Sequence, residues 1–310
     1  MRYGIPYKGS KNSIAEWIIA ELPRADTFID LFVGGGAITH AALLSGKYKN
    51  FIINDIDGRM PMLFLDCIDG KYTPENHSEW ISREEFFKNK DSDAYTALIW
   101  SFGNNGKDYI YAKEIEDFKK AYHYAVFYDD YSLFEQQDIN IPHSDKKSIY
   151  DRYTDTRRAL LRLMKSERGG EQLENYTRLQ ALQNLQALQN DYKDVPIPDG
   201  ALIYCDIPYK GTNCGKYGGF NHAEFYEWAR KQDNIYISEY SMPSDDFIQV
   251  ARINKRQLST TNGASDLVEE KIFTNHKTYY KLSKDRQRKA MLNMAEQTTI
   301  FDFIKENADD

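Results

Sequence analysis

Residues 27–54 constrain the fold of this chain more than any other segment. They contain, in order, an apolar run (27–31), a turn with three glycines, a stretch of helical composition (37–45) and a second apolar run (51–54). A strand, a helix and a second strand in this order indicate a right-handed crossover between two parallel strands. The segment therefore predicts an α/β domain built on a parallel sheet.

The same alternation returns near residue 200, with apolar runs at 201–205 and 234–238 on either side of a helical stretch at 222–231. The intervening residues are rich in tyrosine and charge, and their helical stretches include a capping box from Ser82 to Glu85. We therefore expect a Rossmann-like α/β sheet interrupted by a mainly helical insertion. The predicted boundaries are 1–57 and 195–285 for the sheet domain, 58–194 for the insertion and 286–310 for a C-terminal tail.

Residues 178–189 repeat one hexapeptide almost twice, with a leucine at every third position. A period of three matches neither the 3.6-residue period of a helix nor the two-residue period of a strand. Two copies are also too few for a repeat architecture. We expect a helical or irregular arm with a structural role.

The charge balance excludes a protein that holds nucleic acid by bulk charge, because 40 basic and 47 acidic residues give a net charge of -7. Any contact with DNA must come from a local patch. Two segments are locally basic, and they contain Arg152, Arg157, Arg158, Arg162, Lys165 and Arg168 in the first and Lys284, Arg286, Arg288 and Lys289 in the second. A solvated helix face is the simpler interpretation of each patch taken alone.

The cysteines and the apolar segments indicate a cytoplasmic protein. The three cysteines are not at metal-ligand spacings, so we expect neither a disulfide framework nor a zinc site. No segment approaches the roughly 20 apolar residues that cross a bilayer, and the N-terminus has no apolar signal stretch.

The glycine turn and the acid after the next strand indicate a nucleoside ligand. Glycines between a strand and a helix let the backbone approach a ligand closely, and the helix amides favour an anionic group. The dinucleotide fingerprint does not fit, because its third glycine would fall at Thr39. Asp55 follows the second strand, where a carboxylate accepts hydrogen bonds from ribose hydroxyls. Taken singly, a tight loop and a helix cap explain these features equally well.

Residues 206–209, with the sequence Asp-Ile-Pro-Tyr, follow the apolar run at 201–205 and bring together the groups that handle an aromatic amine. Such an amine is a poor nucleophile because its lone pair is delocalised into the ring, so a site must accept both of its hydrogens. Asp206 can accept one and the carbonyl of Ile207 the other, while Pro208 fixes the turn without adding a donor. Tyr209 offers a stacking face to the flat ring that carries the amine.

Four segments occur in the order and at the spacing of a known family: 7–11 (Tyr-Lys-Gly-Ser-Lys), 32–36 (Phe-Val-Gly-Gly-Gly), 54–57 (Asn-Asp-Ile-Asp) and 206–209. In these segments the chain resembles the Dam-like, class alpha DNA adenine methyltransferases, which use S-adenosylmethionine. The versions found on phages and mobile elements look closest, and the sequence does not reveal whether a restriction partner exists. The resemblance covers residues 1–275 and implies site-specific methylation of the exocyclic amine of adenine in DNA by base flipping.

The resemblance also implies which residues form the site. The cofactor would lie among Tyr7, Lys11, Asp30, Phe32, Gly34, Gly35, Gly36 and Asp55. The target adenine would be held by Asp206, Ile207, Pro208 and Tyr209, and no metal is implied because the sulfonium methyl is already activated. Ile207 replaces the first proline of the common Asp-Pro-Pro-Tyr form, Asp30-Leu31 replaces a Glu-Pro pair, and Asp57 stands where an asparagine is usual.

Double-stranded DNA is the implied partner, and two loops are predicted to contact it. Residues 101–111 resemble a loop that lies beside DNA in the family, and its predicted contacts are Asn104, Asn105, Lys107 and Tyr109. Residues 211–222 are expected to close on the flipped base, with contacts from Lys210, Asn213 and Tyr217 in and just before this loop. An ordinary polar turn is the alternative for the first loop. We also expect residues 238–240 to support the target pocket.

The C-terminal tail contains a short peptide that resembles the segments with which bacterial DNA enzymes dock on the sliding clamp. Gln297 would fit a polar entrance, and Ile300 and Phe301 an apolar pocket. A packed or disordered chain end is the simpler alternative.

Other functions remain open at the level of sequence. Methylation of the exocyclic amine of cytosine is the nearest alternative, since the same motif serves it. A catalytically silent DNA-binding or clamp-docking relative is a second one. Methylation of cytosine at carbon 5 is disfavoured because the chain has no Pro-Cys dipeptide, and glutamine methylation would normally place Asn where Asp206 stands.

Overall fold

The computed structural model of the protein describes residues 3–7, 9–73, 77–164, 184–209, 219–258 and 265–292. The chain divides into two compact units. The sheet unit consists of Lys11–Pro61 and Leu182–Asp310, and the inserted unit consists of Met1–Ser10 and Met62–Ala181. Residues 1–10, 58–61 and 182–194 therefore group differently from the predicted boundaries.

The strands of the sheet unit, within the described residues, are β1 (Thr27–Asp30), β2 (Asn50–Asn54), β3 (Leu185–Leu188), β4 (Leu202–Asp206), β5 (Ile235–Glu239), β6 (Phe247–Leu258) and β7 (Ser265–Asn275). They form one sheet in the order β3-β2-β1-β4-β5-β7-β6. The first five strands of that order are parallel, and β7 runs antiparallel to both of its neighbours. The predicted Rossmann-like α/β architecture is confirmed.

The helices in the described residues are α1 (Ala15–Glu21), α2 (Ala37–Ser45), α3 (Arg59–Ile68), α4 (Arg83–Asn89), α5 (Ala94–Ile99), α6 (Lys113–Tyr128), α7 (Ser132–Glu135), α8 (Ile149–Met164), α9 (His222–Lys231) and α10 (His276–Tyr279). Residues 284–292 are also helical. The bounds of α2 and α9 are those that the sequence predicts. None of the described helices is long and apolar enough to cross a membrane.

The central strands are apolar on both faces because helices and loops cover both sides of a parallel sheet. Ile29, Ile53, Ile203 and Ile237 are completely buried. Such strands read as continuous apolar runs rather than as alternating patterns, and this is why the sequence reveals them so clearly.

Strand β3 corrects the prediction for residues 178–189. The described part of that segment contains a strand that pairs in parallel with β2, from Phe51 opposite Leu185 to Asn54 opposite Leu188. Asn54 also fixes the end of β3, because its side-chain oxygen accepts a hydrogen bond from the backbone N–H of Asn190 at 2.9 Å. Pairing with an existing sheet edge satisfies the backbone, so this tertiary contact outweighs the weak local pattern.

The inserted unit is mainly helical, as predicted, and its described residues contain two small cores. One lies between α6, α7 and α8 and includes Ala121, Phe134 and Leu160. The other packs Phe86 of α4 against aromatic rings that include Trp100 and Tyr109. The predicted capping box is present at the start of α4, where Ser82 and Glu85 bond to each other's backbone N–H groups.

The strand order creates a topological switch point at β1. Its neighbours are β2 on one side and β4 on the other, so the chain leaves the carboxyl ends of β1 and β4 in opposite directions. Ligands of open α/β sheets bind in the crevice outside the carboxyl ends of the strands at such a point. The predicted acids Asp30, Asp55 and Asp206 all lie at or just beyond strand ends on this edge.

Candidate active site

The glycine turn connects Asp30 at the end of β1 to α2. Gly34 and Gly36 have φ angles of 46° and 71°, a left-handed conformation that other residues adopt only with strain. The backbone N–H of Val33 donates to the carbonyl oxygen of Asn54 at 2.9 Å, and that of Gly36 to the carbonyl of Val33 at 2.7 Å. The turn is therefore held against the end of β2.

Asp55, the acid predicted to bind ribose hydroxyls, lies against this turn. Its carboxylate accepts hydrogen bonds from the backbone N–H of Gly34 at 3.0 Å and from that of Asp57 at 3.0 Å. The next residue, Ile56, is an apolar side chain that is 59% exposed. A buried carboxylate beside an exposed apolar surface suits a ligand that has both hydroxyl groups and a flat ring.

Asp30 is a buried acid at the start of the turn. The hydroxyl of Thr39 donates to its Oδ2 at 2.7 Å, while Oδ1 is buried and has no hydrogen-bond partner among the described residues. Burial raises the pKa of Asp30 to about 7, with further contributions from the charges of Asp206 and Asp55 and an opposing one from the Thr39 hydrogen bond. A cation placed beside Oδ1 would restore the ionised form.

Asp206 ends β4 and forms an ion pair with a buried lysine. The ammonium of Lys11 lies 2.9 Å from its Oδ1, and the two side chains are 6% and 21% exposed. Burial alone would lower the pKa of Lys11, but Asp206 and Glu270 outweigh that effect and the pKa is raised. The lysine therefore stays charged, and its N–H donors orient the Asp206 carboxylate.

Tyr209 is enclosed by three other side chains. The Lys11 ammonium lies over its ring at 4.4 Å from the centroid. The ring of Tyr240 meets the Tyr209 ring edge-on, with a centroid distance of 4.5 Å. The hydroxyl of Tyr209 donates a hydrogen bond to Glu270 Oε1. The backbone turn is held as well, since the ring nitrogen Nε2 of His222 bonds to the carbonyl oxygen of Pro208 at 2.8 Å.

Residues 238–240 lie beside this cluster, and their role in the target pocket stays a prediction. Ser238 Oγ lies 2.8 Å from the hydroxyl of Tyr204 within the sheet. Glu239 is buried, and its carboxylate accepts a hydrogen bond from the backbone N–H of Tyr240 at 2.7 Å. That bond fixes the start of the segment that carries the Tyr240 ring.

Sequence reasoning missed Glu270, which is completely buried in β7 and lies 3.6 Å from the Lys11 ammonium. A signal for it exists: Glu270 shares its strand face with Ile272 and Thr274, both buried, so a carboxylate occupies a position where the period-two pattern calls for an apolar residue. Ile56 was missed for the opposite reason, because one apolar residue in a loop carries no pattern.

The remaining predicted cofactor residues have mixed surroundings. Phe32 packs against the rings of Tyr192, Phe220 and Phe225, with centroid distances of 5.7, 5.8 and 6.0 Å. Tyr7 belongs to the inserted unit. The contacts that Phe32, Tyr7 and Lys11 are expected to make with a cofactor stay predictions.

Several polar groups of the loop at 101–111 form hydrogen bonds within the inserted unit. The side-chain N–H of Asn104 donates to the carbonyl of Leu98 at 2.9 Å, and Asn105 Oδ1 accepts from the backbone N–H of Lys107 at 2.8 Å. Tyr109 is 4% exposed, and its hydroxyl donates to the carbonyl of Ile81. Burial favours a structural role for Tyr109, whereas the Lys107 side chain is exposed.

Both basic patches have structural partners. In α8, Arg152 Nε donates to the carbonyl of Val126 at 2.7 Å. In the second patch, Arg286 donates to the carbonyl of Glu21 at 2.7 Å and Lys289 pairs with the Glu21 carboxylate. Some predicted contacts lie outside the described residues: Lys210, Asn213 and Tyr217 for DNA, and Gln297, Ile300 and Phe301 for the sliding clamp.

Within the described residues, no cluster of side chains suits a metal ion.

The fold and the site define a class of protein: an α/β protein with a glycine turn and buried acids at the topological switch point, and with a carboxylate and an aromatic ring at the end of β4. The model of the D12 class N6 adenine-specific DNA methyltransferases matches residues 7–242. That match covers most of the chain, and the protein belongs to this family. A comparison with curated proteins gave no significant match.

Membership establishes the activity. The protein is an enzyme that methylates the exocyclic amine of adenine in DNA, and the family uses S-adenosylmethionine as the methyl donor. DNA is therefore the macromolecular substrate. The alternatives that the sequence left open, an amine-specific cytosine enzyme and a silent relative, receive no support.

Proposed function

We propose that residues 206–209 hold the target adenine during methylation. The observation that carries this proposal is the Asp206 carboxylate, which lies at the end of β4 and already accepts a hydrogen bond from a nitrogen donor, the Lys11 ammonium, at 2.9 Å. The 21% exposure of Asp206 leaves room for a ligand to approach. An exocyclic amine is a nitrogen donor of the same kind.

Each residue of the motif has a distinct task in this proposal. Asp206 accepts one N–H of the amine and the carbonyl of Ile207 the other, so the nitrogen lone pair is turned away from the ring. Pro208 keeps that turn rigid, with its carbonyl held by His222. The ring of Tyr209 supports the base after it has left the duplex.

The cofactor would be held by the glycine turn, Asp55, Ile56 and Asp30. The fit rests on two observations: the exposed Ile56 beside the Asp55 carboxylate, and the buried Asp30 Oδ1, which has no partner among the described residues. A cationic amino group would complement Asp30, and ribose hydroxyls would complement Asp55. When bound, S-adenosylmethionine would supply an activated methyl group, which would pass from its sulfonium sulfur to the amine nitrogen and leave S-adenosylhomocysteine, while one amine proton would be released to water.

The inserted unit would select the site in double-stranded DNA, with Lys107 contacting a phosphate or a base edge. The enzyme would act in the cytoplasm, where DNA and cofactor are both present. The peptide with Gln297, Ile300 and Phe301 would dock on the sliding clamp, a role that a pull-down with the clamp and an F301A variant would test.

The experiment is modification-sensitive sequencing of DNA from a methylation-free bacterial host that expresses the wild type, Asp206→Ala or Asp206→Asn. Methyladenine at one short motif, absent from both variants, is the expected result. Asp199→Ala, which changes an exposed aspartate in the turn before β4, is the matched control and should keep the mark. Persistence of methyladenine with Asp206→Ala would overturn the assignment of residues 206–209.

A further inference from the structure

The Lys11 ammonium makes the two contacts that the proposed function assigns to the target amine. It donates to Asp206 Oδ1 at 2.9 Å, and it lies over the Tyr209 ring at 4.4 Å from the centroid. An adenine held by Asp206 and stacked on Tyr209 would bring its own amine to the same carboxylate. Lys11 and the base therefore compete for one acceptor.

Glu270 offers the ammonium a second acceptor. Its Oε1 lies 3.6 Å from Lys11 Nζ, outside hydrogen-bond distance, so a small shift of the ammonium would convert this contact into a hydrogen bond. The same oxygen accepts the hydroxyl of Tyr209, which fixes its position. Glu270 is completely buried, and a buried carboxylate that loses its cation is strongly destabilised.

We propose that Lys11 stands in for the target amine when no base is bound, and that Glu270 retains the ammonium when the base takes over Asp206. Glu270 is then a positioning residue that acts through Lys11. This inference rests on the proposed role of residues 206–209. It also explains why the fold keeps a charged triad, Lys11, Asp206 and Glu270, at the edge of the sheet. The ammonium must stay beside the site both with and without a bound base.

The exchange moves a cation and not a proton, because both carboxylates keep Lys11 protonated. Replacing Lys11 with a neutral residue leaves Asp206 and Glu270 facing each other, and like charges favour protonation. When Glu270 is neutralised instead, the Lys11 ammonium interacts with Asp206 alone, and this favours the ionised form of Asp206. The other titratable groups that interact with Lys11, Asp206 or Glu270 are Asp30 on β1, Tyr204 and Cys205 on β4, Tyr209, and Tyr240 just beyond β5.

The first test measures the single-turnover methylation rate against pH for Glu270→Gln and Lys11→Met, with the duplex that the sequencing experiment identifies. Glu270→Gln should lower the rate about 100-fold, as expected when a reacting group is misplaced by about 1 Å. The acidic limb of the pH–rate profile of Glu270→Gln should stay in place or move to lower pH. For Lys11→Met the acidic limb should move to higher pH by about one unit or more.

Glu269→Gln is the matched control for Glu270→Gln. It makes the same change one position earlier on β7, where the carboxylate pairs with Arg252 at 3.1 Å and with Lys271 at 3.0 Å instead of with Lys11. Its rate and pH profile should match those of the wild type. Glu270→Asp, which keeps the charge, should recover part of the lost rate.

A binding measurement tests the competition directly. With S-adenosylhomocysteine in place of the methyl donor, the affinity for duplexes that carry adenine or amine-free purine at the target position is compared at high pH. The preference for adenine should be about tenfold greater for Lys11→Met than for the wild type, because the amine no longer has to displace an ammonium. A purely structural role of Lys11 would leave this ratio unchanged.

Three results would overturn the inference: Glu270→Gln behaving like Glu269→Gln, both acidic limbs moving in the same direction, or an unchanged adenine preference for Lys11→Met. If Glu270→Gln does not fold, the inference is decided by the preference of Lys11→Met for adenine over amine-free purine. An inactive Asp206→Ala together with any of these results rejects this inference alone. An active Asp206→Ala rejects the proposed function on which it rests.

Discussion

The carboxyl edge of the sheet and the loop at 101–111 differ in how their polar groups are satisfied. At the sheet edge, Asp206 and Glu270 share Lys11, a residue distant from both in sequence. In the loop, Asn105 bonds to Lys107 and Asp108, its close neighbours in the chain. One region gathers charges from across a unit, and the other completes its own turn.

This difference separates function from local structure. A fold gains little by burying carboxylates, because desolvation opposes each of them, so a cluster that does so at a switch point indicates a ligand. Asparagine side chains that bond to nearby backbone groups are ordinary turn chemistry. In the loop this leaves Lys107, which completes no turn with its side chain, as the candidate for contact with DNA.

The largest effect is expected for Asp30→Asn. The pKa of Asp30 is raised to about 7, so the folded state holds its proton more tightly than the unfolded state does. Stability is therefore full below the unfolded pKa near 4 and falls as the pH rises towards 7, by at most about 4 kcal/mol. Asp30→Asn should remove this loss and raise the melting temperature at pH 8, while weakening cofactor binding. Thermal unfolding at pH 5 and pH 8 checks it.

A melting temperature for Asp30→Asn that rises equally at both pH values would contradict this account, because the gain from asparagine should grow as the pH rises from about 4 to about 7. Thr39→Val is the matched comparison, since it removes the hydrogen bond to Asp30 Oδ2 and leaves the carboxyl group. It should destabilise the protein most at high pH.

Asp55→Ala is expected to have the next largest effect. Its carboxylate would hold ribose hydroxyls, and hydrogen bonds to a charged group contribute about 1.5–3 kcal/mol each, so the affinity for S-adenosylmethionine should fall about 100-fold. Titration calorimetry measures this change. Asp57→Ala is the control from the same loop, because that carboxylate is occupied by Arg59 at 2.6 Å, and its effect should be small. Equal losses for both variants would show that the loop fold, rather than a ligand contact, is responsible.

Tyr209 distinguishes the role of a ring from that of a hydroxyl. Base stacking on an aromatic side chain contributes about 1–3 kcal/mol, so Tyr209→Ala should lower kcat/KM about 10- to 100-fold. Tyr209→Phe keeps the ring and removes only the bond to Glu270, so its loss should be several times smaller. Steady-state kinetics on both variants tests this order, and similar losses would argue against stacking.

The sequence predicts four of the seven described strands, β1, β2, β4 and β5, because they are buried on both faces and carry uninterrupted apolar runs. It fails at β3, where the leucines at every third position match no regular period and the strand exists through pairing with β2. The acids of the site are predictable because each follows a strand. Glu270 was not predicted, because its partners Lys11 and Tyr209 lie far away in sequence and only the fold brings the three together.

The smallest effects concern the loop at 101–111, where two neighbouring variants should separate DNA contact from folding. Lys107→Ala should weaken DNA binding and lower the slope of log affinity against log salt by about one unit, as the loss of one phosphate contact predicts. Asn105→Ala should leave that slope unchanged and reduce stability by about 1 kcal/mol. The variant lacks the side-chain oxygen that accepts hydrogen bonds from the backbone N–H groups of Lys107 and Asp108. Binding titrations at several salt concentrations, with thermal unfolding, measure both quantities.

The opposite pattern would break the contrast between the two regions. If Asn105→Ala changed the salt slope or the preferred sequence while the melting temperature stayed constant, the asparagine would be reading DNA despite its bonds within the loop. If Lys107→Ala changed neither affinity nor slope, the loop would be an ordinary polar turn. Selection of the DNA site would then have to come from other parts of the chain, since Asn104, Asn105 and Tyr109 are occupied by hydrogen bonds within the inserted unit.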